Sequence, residues 1–191
     1  NAFADAIPLA GTISGPDNGL YGTDGWMDAS FSWEITEPSD SNLYWTYLYT
    51  FTVDEKAISH LIIQVSDQFT EGNIFPGTTD GWNLGFYSGN DPSNPYMPEQ
   101  IHGLKWNTSG DPLTFSVTIV TDKEPIWGNF YAKDGKDDKS WVVAWSGTSG
   151  EFGYNVPVPD TGGTNGPEPG ALLMLGAGIL GLAFWGRKLK K

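Results

Sequence analysis

The chain has 191 residues, two histidines, no cysteine and a formal net charge of −13 at neutral pH. The lack of cysteine excludes disulfides, thiolate metal sites and a cysteine nucleophile, so stability has to come from packing. The acidic balance opposes binding to nucleic acid and to anionic lipid, both of which need clustered Lys and Arg.

Charge is unevenly distributed: residues 1–166 hold six Lys against 22 Asp and Glu, a balance of −16, whereas the last 25 residues hold four basic and one acidic, a balance of +3. An acidic surface keeps an exported protein soluble or holds divalent cations. At the start, Ala2-Phe3-Ala4 has the small-x-small form of a signal-peptidase site, so residues 1–4 are read as a signal-peptide remnant, with an arbitrary chain boundary as the alternative.

Residues 5–150 suffice for one domain with a sizeable core. Their pattern is alternation, not helical periodicity. From Trp45 to Val53 every second residue is aromatic or β-branched apolar, with Thr on much of the other face, which predicts a long half-buried strand. Similar runs predict strands at Phe31–Thr36, Ile58–Ser66, Leu113–Thr121, Ile126–Lys133 and Trp141–Ser146. Shorter ones fall at Trp82–Tyr87 and Gly103–Asn107, giving about eight strands. Between them lie Gly15-Pro16-Asp17-Asn18-Gly19, Glu37-Pro38-Ser39-Asp40, Gly89-Asn90-Asp91-Pro92-Ser93-Asn94-Pro95, Ser109-Gly110-Asp111-Pro112 and Lys133–Asp138, all rich in turn-forming residues. Short strands at this spacing without intervening helices predict an all-β fold, an antiparallel β-sandwich or jelly roll, with an open barrel as the alternative.

Residues 151–166 read as a Pro/Gly-rich linker, because Val156-Pro157-Val158-Pro159 favours an extended backbone and Asp160 to Gly166 is rich in Gly and polar residues. After Pro167-Glu168-Pro169 come sixteen uncharged residues, Gly170 to Trp185. As a helix, 171–186 would extend about 24 Å, slightly short of a hydrocarbon core of about 30 Å. Its apolar surface comes from Ala171, Leu172, Leu173, Leu175, Ile179, Leu180, Leu182, Phe184 and Trp185. Arg187, Lys188, Lys190 and Lys191 follow, and the positive-inside tendency places this basic tail in the cytoplasm and the body outside. A C-terminal transmembrane helix over 171–186 is therefore expected.

The order of Pro167-Glu168-Pro169, Leu/Gly/Ala-rich run and Arg/Lys tail resembles the PEP-CTERM sorting signal of exported proteins from Gram-negative bacteria. It departs at Gly166, where that family often has Val. The resemblance covers about 25 residues and implies recognition by a membrane-embedded exosortase, trimming near the motif, and release to the surface or an exopolysaccharide matrix. Trp45–Phe51, Ser59–Ser66 and Trp127–Gly135 look like passenger domains that carry such signals, which implies a β-rich exported module and no catalytic residue.

Catalytic and metal-binding patterns are sparse. His60 and His102 form no zinc-binding pair, and no GxSxG sequence marks a nucleophile. Glu34 and Glu55 are the carboxylates considered for glycoside hydrolysis, against the plainer reading of solvent-facing strand residues. Asp134, Asp137 and Asp138 form the richest oxygen cluster for calcium, although Lys133, Lys136 and Lys139 neutralise it, as in a solvated turn. Of nine tryptophans, Trp26 and Trp82, each ending a Thr-Asp-Gly-Trp word, are expected to be exposed and to contact glycan or a partner. Trp33, Trp45, Trp127, Trp141 and Trp145 fit core positions. Asn107-Thr108-Ser109 has N-glycosylation spacing, a weak signal in a bacterial protein.

The sequence thus predicts a non-enzymatic structural or adhesive protein of the cell surface or extracellular matrix, sorted by its C-terminal signal and self-associating through exposed sheet edges. Its expected partners are an exosortase-type enzyme, exopolysaccharide and further copies of itself, with no cofactor unless calcium. The alternative is a polysaccharide-binding module using exposed Trp, and after it a glycan-active enzyme.

Overall fold

The computed structural model describes residues 7–23, 25–135 and 141–160. Thirteen strands form within them: β1 (Ala10–Ser14), β2 (Leu20–Gly22), β3 (Ser30–Thr36), β4 (Trp45–Thr52), β5 (Ile58–Gln64), β6 (Trp82–Tyr87), β7 (Ile101–Asn107), β8 (Thr114–Thr121), β9 (Pro125–Gly128), β10 (Phe130–Asp134), β11 (Val143–Thr148), β12 (Glu151–Phe152) and β13 (Val156–Pro159). A 3₁₀ turn at Glu71–Asn73 is the one helical element among the described residues. The protein is all-β and its strand pairings are antiparallel.

Two sheets pack face to face in a sandwich-like arrangement. The smaller has the order β1-β3-β4-β8, and the larger β12-β11-β10-β5-β7-β6, with β2 also paired to β11. The alternation seen in the sequence sorts the side chains as a pleated strand requires. Phe31, Trp33 and Ile35 of β3, Tyr47, Tyr49 and Phe51 of β4, and Val117 and Ile119 of β8 are buried against the larger sheet. Thr and Ser occupy most outward positions of the same strands. The inner face of the larger sheet supplies Leu61, Ile63, Leu104, Trp106, Phe130, Ala132 and Ala144. Phe130 joins the layers, its ring stacked on Phe31 at 4.1 Å between centroids and tilted on Phe51 at 5.7 Å. Such aromatic pairs add about 0.5–1.5 kcal/mol each to the burial of their area.

Two expected boundaries need correction. The run Ile126–Lys133 is two strands with different partners, because buried Asn129 breaks it: β9 pairs with β13, and β10 with β5 and β11. The expected linker is ordered structure over residues 151–160. Glu151–Phe152 forms a hairpin with β11, and Val156–Pro159 pairs with β9 while Val156 and Val158 enter the main core. The prolines lack an N–H, but their alternation leaves the valine N–H groups for the ladder. The Tyr49 hydroxyl donates to the Pro157 carbonyl at 2.8 Å and anchors the ribbon to β4. Residues 161–166 of that linker, the sorting motif Pro167, Glu168 and Pro169, the expected membrane helix 171–186 and the basic tail all lie outside the described residues, as do residues 1–4. Among the described residues no helix is long and apolar enough to cross a membrane.

Candidate functional site

β5 is buried on both faces, as its run Ile58–Ile63 suggests, because the larger sheet is covered outside as well as inside. On its outer face the register sets Tyr21, Trp145, Tyr131, Ile62, Lys105 and Asn83 in one row and Val143, Lys133, His60 and Asn107 in the next. The connection from Ser88 to Gln100, between β6 and β7, folds down over these rows. Its Met97 joins Ile62, Ile101, Tyr131, Val143, Trp145 and Phe152 in a second, smaller apolar core.

The local sequence explains the fold of this connection. Asp91 and Asn94 are turn formers: Asn94 N–H donates to the Asp91 carbonyl at 2.8 Å, and Ser93 N–H donates to the Asp91 carboxylate at 2.8 Å. The fully buried Asn94 accepts from Lys105 Nζ at 3.2 Å and donates to Asp91 Oδ2 at 3.3 Å. The Tyr131 hydroxyl donates to the Pro95 carbonyl at 2.7 Å. Where the two ends of the connection meet, only glycine fits at position 89, since a Cβ there would lie 2.6 Å from the Met97 carbonyl oxygen.

The polar groups beneath the connection are His60, Lys105 and Lys133, with the exposed Asp91 carried by the connection itself. His60 is 3% exposed, stacks on Tyr131 at 5.9 Å and has no partner for Nε2. Burial foremost, then the charges of Lys105 and Lys133, push its pKa down to about 3 against the opposing pull of Asp91. The imidazole is neutral at neutral pH. Lys133 Nζ donates to the Asp134 carbonyl at 2.7 Å and lies 4.3 Å from the Trp141 ring centroid. Burial lowers the pKa of Lys105 and raises that of the Tyr131 hydroxyl. This arrangement fastens the connection to the sheet; it positions no acid, base and nucleophile around an open space.

The exposed side of the connection is different. Asn90, Tyr96, Glu99 and Gln100 border a concavity of about 650 Å³. Tyr96 is 63% exposed with φ 60°, and Tyr154, also left-handed at φ 49°, donates its hydroxyl to Glu99 Oε2 at 3.4 Å. A left-handed backbone costs an L-residue of this bulk about 1–2 kcal/mol. Sequence reasoning missed Tyr96. The available signal was the dense turn sequence Asn90-Asp91-Pro92-Ser93-Asn94-Pro95 ending directly on an aromatic.

The two residues expected to contact glycan fare differently. Trp26 is 0% exposed: its Nε1 donates to the Glu55 and Lys56 carbonyls at 2.9 and 2.8 Å, and its ring meets Phe51 edge-on at 5.2 Å. The expectation that it is exposed is corrected, because the turn that carries it folds inward under the sandwich. Trp82 is half-buried in β6 opposite Trp106, packed against the main core. Among the tryptophans assigned to the core, Trp33 and Trp145 are buried and Trp45 and Trp141 half-buried, whereas Trp127 is an exposed member of the β9–β13 ribbon.

Asp134 is fully buried, with Oδ1 accepting from Val142 N–H at 3.1 Å and Oδ2 without a partner. Asp137 and Asp138 lie outside the described residues, among which no three His, Cys, Asp or Glu group to hold a metal ion. His102 is on the opposite face of the sheet from His60; its Nδ1 donates to the Ser66 carbonyl at 2.8 Å and its ring stacks on Phe86 at 4.5 Å. Glu34 faces outward opposite Leu48 and Glu55 is in the turn after β4, so the register does not bring them together.

Of the sheet edges, β8 is occupied. Phe75 and Thr79 N–H groups donate to the Val120 and Thr118 carbonyls, and the Thr79 and Thr78 hydroxyls accept from Thr118 and Val120 N–H, all at 2.8–2.9 Å. β6 ends the larger sheet, with β7 as its one strand partner among the described residues. No family model, curated protein or solved structure matches the chain.

Proposed function

We propose that the chain is an exported structural or adhesive protein of the cell surface or extracellular matrix, held in the membrane by its C-terminal segment until an exosortase-type enzyme trims it. The observation that carries this reading is the sequence of the tail: Pro167-Glu168-Pro169, sixteen uncharged residues, then Arg187, Lys188, Lys190 and Lys191. The membrane helix belongs to this proposal, as do surface localisation and matrix partners. The acidic body is compatible with a protein that works dissolved or in a hydrated matrix. Self-association by strand pairing would use a terminal strand such as β1 or β6, not β8, whose edge residues 74–79 fill.

Replacing Pro167, Glu168 and Pro169 together by Ala in the source organism tests the sorting step. The parent chain is expected in the medium or surface fraction and the variant in membranes. Equal distribution of the two would overturn the proposal.

A second reading, polysaccharide binding, is favoured by one feature: an exposed tyrosine with a left-handed backbone beside carboxylate and amide side chains.

A further inference from the structure

We propose that the concavity bordered by Asn90, Tyr96, Glu99 and Gln100 is a binding site for an uncharged polysaccharide, with Tyr96 as its stacking platform. This inference deepens the polysaccharide-binding reading and moves the contact away from Trp26 and Trp82 to a connection that sequence patterns read only as turns.

Four observations carry it. First, the chemistry matches the ligand. A sugar ring presents a C–H face that packs on an aromatic plane, and a rim of hydroxyls that donate to carboxylates and exchange hydrogen bonds with amides. Tyr96, Glu99, Asn90 and Gln100 provide these groups around a space of about 650 Å³.

Second, the platform is exposed although the chain around it is well anchored. Tyr96 is 63% exposed between Asn94, which is fully buried, and Met97, which is in the second core. The Pro95 carbonyl is held by Tyr131 and the Asn94 amide by Lys105. A ligand meeting Tyr96 therefore has little backbone left to order.

Third, the backbone is strained at this place. Of the four non-glycine residues with positive φ among the described residues, two are the tyrosines bordering Glu99: Tyr96 lines the concavity with it, and Tyr154 donates its hydroxyl to it. Glycine would relieve the strain at position 96, so an exposed tyrosine there points to a use for its ring.

Fourth, the charge selects the ligand class. The lining residues include a carboxylate and no cation, and the chain carries −13 overall. Anionic glycans are repelled, whereas an uncharged glycan is unaffected by that field.

The test is affinity electrophoresis of the full chain in native gels containing hydroxyethylcellulose, laminarin or galactomannan, with alginate as the anionic comparison. Retardation is expected in at least one of the three uncharged gels and not in alginate. Tyr96→Gly is expected to weaken it at least about tenfold, the scale of losing one aromatic stacking platform. The same variant keeps or raises the thermal midpoint, because glycine suits the left-handed backbone. Tyr96→Phe retains binding, which separates the ring from the hydroxyl. No retardation in any uncharged gel, or retardation unchanged by Tyr96→Gly, would overturn the site. Export and trimming are read independently by fractionation, so the loss of this site would leave the sorting proposal standing.

Discussion

Replacing Asn129 by Ala should destabilise the fold by about 4 kcal/mol. This fully buried residue separates β9 from β10, and its side chain joins β5, β11 and the connection between β12 and β13. Nδ2 donates to Gln64 Oε1 at 2.8 Å, while Oδ1 accepts from Ser146 Oγ at 3.0 Å and from Tyr154 N–H at 2.9 Å. Ser146 is itself fully buried; its Oγ still accepts from Phe130 N–H at 3.2 Å, but its O–H loses its acceptor, at about 2 kcal/mol, while Gln64 and Tyr154 are half-buried and about 1 kcal/mol applies to each. With a urea m-value of about 2 kcal/mol/M, the unfolding midpoint should fall by about 2 M. Asn129→Asp should be at least as damaging, because it turns a carboxylate oxygen toward Gln64 Oε1 and buries a charge. Asn83→Ala, at an exposed position of β6, should stay within about 0.5 kcal/mol of the parent. Equilibrium urea unfolding followed by tryptophan fluorescence measures all three. An Asn129→Ala midpoint within 0.5 M of the parent, about 1 kcal/mol at this m-value, would refute the reasoning that this amide holds the strand break together.

Two further outcomes follow from the burial of His60 and Trp26. His60 has a folded pKa pushed down to about 3 against about 6.5 unfolded, so the unfolded chain takes up its proton first as pH falls. The stability it contributes is complete above about pH 6.5 and is lost toward pH 3, at up to about 1.4 kcal/mol per pH unit. Comparing urea midpoints of the parent and His60→Gln from pH 6.5 to 4.5 should show a shallower slope in the variant; equal slopes would contradict the burial argument. Trp26→Ala should cost about 4 kcal/mol by opening a cavity and stranding the Glu55 and Lys56 carbonyls, lowering the thermal midpoint by about 12 °C. A variant with an unchanged midpoint would return Trp26 to the surface.

The parts of the fold visible in the sequence are those where one strand carries its own pattern. The alternation from Trp45 to Val53 yields β4 with Tyr47, Tyr49 and Phe51 inward, because period-two burial needs no knowledge of the partner. Val156-Pro157-Val158-Pro159 could not be read this way. Alone it fits an extended linker, and only pairing with Pro125–Gly128 makes it a strand. Asn129 inside an apolar run gave no sign that its amide would find Gln64 and Ser146, which are distant in sequence. The site was harder still. Trp26 and Trp82 share the word Thr-Asp-Gly-Trp, yet one is fully buried and the other is half-buried in an edge strand, since burial is decided by what folds over a turn. Tyr96 is conspicuous only through its backbone angle and exposure, which its neighbours in the chain do not encode locally.

The central claim is that this is an exported protein released by trimming at its C-terminal motif. Intact mass spectrometry of the protein recovered from the medium and from the membranes of its source organism tests that claim most directly. The account predicts a species in the medium that ends between Pro167 and Gly170. An untrimmed chain ending at Lys191 and found only in membranes would contradict it, and would make 171–186 a permanent anchor.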